Sequence, residues 1–388
     1  MKKVNAISVI ILFVMAGCGG QRQSGDDDFI TVDVTKTNYP KKELILQDFM
    51  DVEYIVLETK NDFINQGFVQ DIGKEIILVR NYNDDGDIFI YDRYGKALRK
   101  VNRKGQGSEE YLNILGITLD EDNNEMFVND HYTRRILVYD LYGKFKRSFK
   151  QKERGESFYV NIFNYNNDNL ICYDAYDEEI AFVLISKQDG SITKEIKIPF
   201  TEKKLLEQQL IDEENIFTVG PGPYRTIIPY YNGNWILSEN SSDTIYTFLP
   251  DYSLRPFIVR TPPIQSMDPE IFLNLRLLSD RYYFMETIKN VYDFNTNNGF
   301  PRTFMVYDKQ EEALFNYTVY NDDFSPPKEI YMSMTKPVNH EIDSWYPLEA
   351  YQLVWAYRNG DLKDKLKEIA AGLKEDDNPV IMLIKHKK

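Results

Sequence analysis

Arg103, Gln106, Glu110 and Tyr111 fall in one short stretch of the chain, and His131, Tyr132 and Arg134 in the next. Their guanidinium, amide and carboxylate groups offer hydrogen bonds of both polarities, and the phenol and imidazole rings offer flat faces. That combination suits a glycan or a peptide. A plainer reading stands beside it: Gly105 and Gly107 shape a crossover loop, and Glu110 and Tyr111 tie neighbouring units together. Of the three histidines only His131 falls in such a loop, next to Asp130, as a solvated turn residue or a general base.

Other chemistries find less support. His131, His340 and His386 have no histidine or cysteine partners at ligand spacing, so no zinc site is expected. Asp84-Asp85-Gly86-Asp87 and Asp120-Glu121-Asp122-Asn123-Asn124 resemble calcium loops but lack the distal glutamate, and both also fit hairpin turns. No P-loop and no Gly-x-Ser-x-Gly elbow occurs, and no cofactor is expected. Scattered carboxylates could form a glycosidase pair, but spacing along a chain cannot bring two of them together. Cys172, in Leu170-Ile171-Cys172-Tyr173, reads as a buried small hydrophobe.

The elements that would position these loops repeat. Asp87-Ile-Phe-Ile-Tyr-Asp-Arg-Tyr-Gly-Lys96 matches Arg135-Ile-Leu-Val-Tyr-Asp-Leu-Tyr-Gly-Lys144 at an offset of 48 residues, and Ala181-Phe-Val-Leu-Ile-Ser-Lys-Gln-Asp-Gly190 follows. Each is an apolar strand running into a tight turn whose glycine permits positive φ. Around the second copy, 117–120, 125–130, 135–140 and 144–150 read as a four-stranded antiparallel meander, the unit of a propeller blade. Third strands recur near Phe89, Leu137, Val183, Tyr246 and Met305.

A sixth blade is expected to form from both ends, by pairing Phe29-Ile-Thr-Val-Asp-Val34 with Pro379-Val-Ile-Met-Leu-Ile-Lys385, which closes the ring and removes open edges. Residues 29–388 give about 60 per blade for six blades, although the 48-residue offset alone would suit seven or eight. Residues 363–373 carry the one helical apolar pattern. The fold class is therefore all-β: a six-bladed β-propeller of four-stranded antiparallel blades with one short C-terminal helix. Loops joining second to third strands, and fourth strands to the next blade, share one rim. Both stretches named at the outset fall on it.

Composition agrees. The 388 residues are 43% hydrophobic, enough for a large core, and 61 acidic against 46 basic side chains give a net charge of −15. That charge excludes general affinity for nucleic acid and disfavours anionic membrane surfaces. Lys2 and Lys3 precede an apolar run over 7–16 that is too short to span a bilayer, so residues 1–17 read as an export leader. Met15-Ala16-Gly17-Cys18 resembles a lipobox, making Cys18 a lipid anchor; a simple cleaved leader is the alternative. Residues 18–28 then form a flexible tether, and loss of Lys2 and Lys3 makes the charge −17. With Cys18 acylated, Cys172 is left without an intramolecular disulfide partner.

Gly105-Gln-Gly-Ser-Glu-Glu-Tyr111, Tyr54-Ile-Val-Leu-Glu-Thr59 and Glu375-Asp-Asp-Asn-Pro-Val380 resemble the six-bladed β-propeller lipoproteins of Bacteroides-type bacteria, whose blades are similar to NHL and TolB-like propellers. In the first motif Ser108 and Glu109 stand where that family usually has Pro and Gly. The acidic run Asp26-Asp27-Asp28 resembles a surface-export signal, placed further from the cysteine than is usual. The resemblance implies fold and export: an outer-membrane lipoprotein, facing the periplasm or the surface. The expected function is non-catalytic binding of a glycan, peptide or envelope protein at Arg103, Gln106, Glu110, Tyr111, His131, Tyr132 and Arg134. The alternative is a propeller lyase or hydrolase acting on polysaccharide or peptide.

Overall fold

A computed structural model describes residues 29–387 apart from 61, 152–157, 213–214, 223, 231–232 and 333–336. The leader, Cys18 and the tether lie outside the described residues. Six sheets form the blades. Blade 1 comprises Phe68–Ile72, Ile76–Arg80, Asp87–Asp92 and Ala97–Asn102; blade 2 comprises Ile114–Asp120, Glu125–Asp130, Arg135–Asp140 and Phe145–Lys150. Blade 3 is Tyr159–Asn164, Asn169–Asp174, Phe182–Ser186 and Ile192–Ile196, and blade 4 is Ile227–Pro229, Trp235–Leu237, Thr244–Phe248 and Leu254–Thr261. Blade 5 is Ile271–Leu278, Tyr282–Lys289, Arg302–Asp308 and Ala313–Asn321. All five expected third strands are third strands.

Each blade is covered on both faces by its neighbours, which explains the hydropathy pattern. Middle strands such as Ile76–Arg80 and Arg135–Asp140 are almost wholly buried and read as continuous apolar runs, whereas the outer strand Ala97–Asn102 alternates. The core is correspondingly a ring of clusters between blades. Leu78, Ile90, Ile117 and Leu137 join blades 1 and 2; Phe127, Val138, Ile162 and Cys172 join 2 and 3. Val79, Tyr91, Trp345 and Leu383 close the circle between blades 6 and 1.

The repeated Asp-x-Tyr-Gly-Lys turn locks blade to blade. Asp92 and Asp140 accept hydrogen bonds at Oδ1 from the backbone N–H groups of Tyr94 and Lys96, and of Tyr142 and Lys144. Gly95 and Gly143 take φ of 85° and 81°. A Cβ there would lie 2.1 Å from the Val56 carbonyl oxygen and 2.6 Å from Val101 respectively, in the outer strand of the preceding blade.

Ring closure departs from expectation. The N-terminal segment forms three strands, β1 (Ile30–Asp33), β2 (Lys41–Ile45) and β3 (Met50–Val56), with a short helix α1 (Leu46–Phe49) between the last two. β1 lies parallel on the outer strand of blade 4, and β2 parallel on that of blade 5. The partner of the closing strand Val380–His386 is therefore β3, not the stretch beginning at Phe29. Blade 6 shows three paired strands among the described residues: Ile342–Leu348, Val380–His386 and β3.

Between the first two of these strands the chain makes two helices, α2 (Ala350–Asn359) and α3 (Asp364–Ala370), where one was expected. Leu353, Ala356, Leu366 and Ala370 pack with Phe324 and Val380, so the pair caps blade 6. Among the described residues no helix is long and apolar enough to cross a membrane.

Candidate functional site

The loop 103–111 is held mainly by its own groups. Gly105 N–H donates to the Tyr111 carbonyl and Tyr111 N–H to that of Arg103. The Glu110 carboxylate accepts from Gly107 N–H at 2.8 Å, filling the space that a side chain on Gly105 would occupy. Tyr111 is fully buried; its hydroxyl donates to Gly86 O at 2.7 Å and accepts from Arg103 N–H at 2.9 Å. This corrects the placing of Tyr111 among exposed rim residues: its ring packs between blades 1 and 2. Arg103 donates through Nε to Gly143 O in the next blade. Of the four candidate residues in this stretch, Arg103 and Gln106 are exposed, Glu110 is half-buried and Tyr111 is buried.

The second stretch is built outward from Asp130. Its buried carboxylate accepts from Leu112, Asn113 and Tyr132 N–H and from the Thr133 hydroxyl, which fixes the exit of one loop against the turn of the next. Arg134 takes φ of 49° in that turn, and its carbonyl accepts from Gln151 N–H. Gln151 in turn bonds Asn129 Oδ1 and Tyr159 N–H, so the start and end of the next connection are pinned to the same point.

On this frame sits an aromatic row. The His131 ring meets Phe158 edge-on at 5.1 Å and Tyr132 at 5.3 Å, and Phe158 stacks on Tyr176 at 6.4 Å. Tyr132 is 71% exposed and Tyr176 43%. The row crosses from blade 2 to blade 3 and unites His131 and Tyr132 with two rings that were not among the candidate residues. Phe158 carries no polar group, and the signal that could have found it and Tyr176 is an aromatic in successive connections of one rim.

The acidic loops are internally engaged. Asp84 pairs with Lys104 at 2.9 Å, Asp85 bonds Asn81 and Asp87 N–H, and Asp120 forms a buried pair with Lys187 at 2.6 Å. Among the described residues no group of three or more His, Cys, Asp or Glu is gathered to hold a metal ion.

Two further features mark this rim. Beside blade 6, α2 and the segment 324–328 enclose a cavity of about 750 Å³. Tyr351, Gln352, Trp355 and Arg358, on one face of α2, line it, facing Phe324 and Pro326. Charged groups at its wall are Lys328, Glu349, Asp361, and the ion pair Arg358–Glu375 at 2.6 Å. Between blades 3 and 4 a hairpin, Gln208–Asp212 with Asn215–Val219, exposes Leu210, Ile211, Ile216 and Phe217.

The opposite mouth of the ring holds a recess of about 530 Å³ that includes Asp71, Glu121, Trp235 and His340. Several of its polar groups are occupied in joining hairpins. Asp71 accepts from Leu119 N–H, Glu121 from Lys74 and Glu75 N–H, and His340 bonds the Tyr230 carbonyl while its ring meets Trp235 edge-on. Burial holds His340 below the usual histidine range and therefore uncharged at neutral pH.

Comparison with known proteins agrees with the ring. A Bacteroides fragilis protein described as exported superposes with a TM-score of 0.54 at 16% identity, covering 90% of this chain and 99% of its own. A DUF4221 family member from Bacteroides vulgatus gives 0.45 at 11% identity over 74% and 92%, and a virginiamycin B lyase from Staphylococcus aureus gives 0.38 at 11% over 87% and 99%. No curated protein matches the sequence. Residues 21–342 match the family DUF5128, described as 6-bladed beta-propeller, and the chain belongs to that family.

Proposed function

We propose that this protein is an exported, non-catalytic binding protein, anchored to the outer membrane through lipid on Cys18, facing the periplasm or the surface. It holds a glycan, peptide or protein partner on the rim that carries the inter-blade connections. The observation supporting this reading is the aromatic row: Tyr132 and Tyr176 expose large ring surface, on a backbone fixed by the Asp130 and Gln151 networks. Exposed rings on a rigid base bind with little ordering cost. The lipobox and the leader support export, and the apolar hairpin at Ile211 and Phe217 supports a protein as one class of partner.

A panel of glycans and peptides titrated against the purified chain tests the reading. Binding should weaken about ten-fold in Tyr132→Ala and Tyr176→Ala. Undiminished binding in both variants sinks the row as the site, and turnover of a bound ligand sinks the non-catalytic part. Fatty-acid labelling should vanish in Cys18→Ala; persistent labelling refutes the anchor.

A further inference from the structure

We infer that the cavity under α2 is a second binding site, separate from the aromatic row, and that its ligand is a neutral saccharide. The first ground is an exposure that the fold does not explain. Trp235 and Trp345 are 4% and 3% exposed, while Trp355 is 64% exposed, at the wall of a cavity of about 750 Å³. That volume lies within the range of small-ligand pockets, and an indole left in water beside one is the form of a stacking platform. Leu353 and Ala356, buried against Leu366, Ala370 and Val380 at the floor of the cavity, already hold α2 in place, so Trp355 is not needed for that.

The second ground is spacing. Tyr351 and Trp355 stand four residues apart on α2, about 6 Å along its axis, roughly one sugar ring. Phe324 faces them across the cavity. The third ground is the polar complement. Beyond its first turn the backbone N–H groups of α2 are spent inside the helix, so polar recognition falls mainly to side-chain heads. Gln352, Arg358 and Glu375 supply both donors and acceptors at the mouth, and the Tyr351 hydroxyl accepts from Gln352 at 3.0 Å and keeps its own proton to donate. A pyranose has apolar C–H faces for the rings and a belt of hydroxyls for these heads.

Charge selects among saccharides. Three carboxylates against two cations line the cavity, on a chain of net charge −15, so an anionic sugar is opposed both locally and at long range. A neutral one is not.

The test uses the full chain in detergent and the intrinsic fluorescence of its three tryptophans, of which Trp355 alone is substantially exposed. Neutral oligosaccharides of glucose, mannose, xylose and N-acetylglucosamine are titrated separately. At least one should shift the emission to shorter wavelength. Its affinity by calorimetry should fall about ten-fold or more in Trp355→Ala and less in Trp355→Phe. The emission shift separates this site from the aromatic row, because His131, Tyr132, Phe158 and Tyr176 include no tryptophan. Absence of a shift with every neutral sugar overturns the inference. So does undiminished binding in Trp355→Ala, or a shift produced only by a proline-rich peptide or a uronic-acid oligomer.

Discussion

In blades 1, 2 and 3 every strand comes from one contiguous stretch of chain, whereas blades 4, 5 and 6 each take a strand from residues 30–56. The first three blades thus form from pairings close in sequence. The last three depend on contacts that span most of the chain, such as Tyr54 opposite Met382, and the entropy of closing so large a loop opposes them. The N-terminal segment spreads that closure over three blades: β1 and β2 lie as fifth strands on blades already complete, and only β3 supplies a strand its blade lacks. If Cys18 carries lipid, tension from the membrane reaches β1 on blade 4 first and the closing blade last.

The largest expected effect breaks the comparison at its weakest junction. Removing residues 380–388 takes away the centre of blade 6, between Ile342–Leu348 and β3, and no local hairpin can replace it. This variant should lose its cooperative urea transition followed by circular dichroism. Removing residues 29–45 deletes β1 and β2 only; a cooperative transition should survive at a lower midpoint. Loss of cooperativity in both variants would show that the fifth strands are as integral as the closing one.

The same contrast governs what could be read from the sequence. Third strands near Phe89, Leu137 and Val183 were legible because a strand buried on both faces is a continuous apolar run ending in a turn motif, and those near Tyr246 and Met305, only partly buried, followed as looser copies of the repeat. The partner of the closing strand was not legible. Residues 29–34 and β3 both alternate apolar and polar side chains, and alternation fixes which face is buried but not which strand lies alongside. Helix α2 escaped because Tyr351, Val354, Trp355 and Tyr357 favour strands by type, and tertiary burial of Leu353 and Ala356 decides otherwise. At the site, Tyr111 and Tyr132 are both loop tyrosines. One finds Gly86 O beneath it and is buried while the other finds none, a difference set by the neighbouring blade.

A smaller effect sharpens the comparison within the repeated turn. Gly95 and Gly143 share the motif and the left-handed φ, so alanine at either pays about 1 kcal/mol for the backbone alone. The neighbours differ. At Gly95 the new methyl meets the Val56 carbonyl of β3, itself held in the ladder of blade 6, and at Gly143 it meets the Val101 side chain, which can shift. Gly95→Ala should cost about 3 kcal/mol or more and Gly143→Ala about 1–3 kcal/mol in chemical denaturation. Equal losses would mean that the close approach to the closing blade adds nothing.

The smallest effect concerns how β2 is fastened to blade 5. Asp308, fully buried, accepts from Arg281 at Nε and Nη2 and from Lys42 of β2, which also reaches Glu311 at 2.6 Å. Burial pushes the Asp308 carboxyl up, but the hydrogen bonds from Arg281, Lys42 and Gln310 N–H outweigh it and hold the group well below the usual carboxylate range. A carboxylate whose folded pKa is depressed contributes its full stabilisation above its unfolded value, about 4, and loses it as pH falls toward the folded one. Acid should therefore loosen β2 before it loosens blade 1. Corrected for intrinsic rates, amide exchange at residues 41–45 should accelerate below about pH 4 relative to Ile76–Arg80. Lys42→Met should bring the same acceleration at neutral pH, through a loss of about 1–3 kcal/mol from the β2 attachment. Exchange in 41–45 that is indifferent to both acid and Lys42→Met would place the hold of β2 in its parallel ladder with Ala313–Asn321, and leave this ion cluster as an internal feature of blade 5.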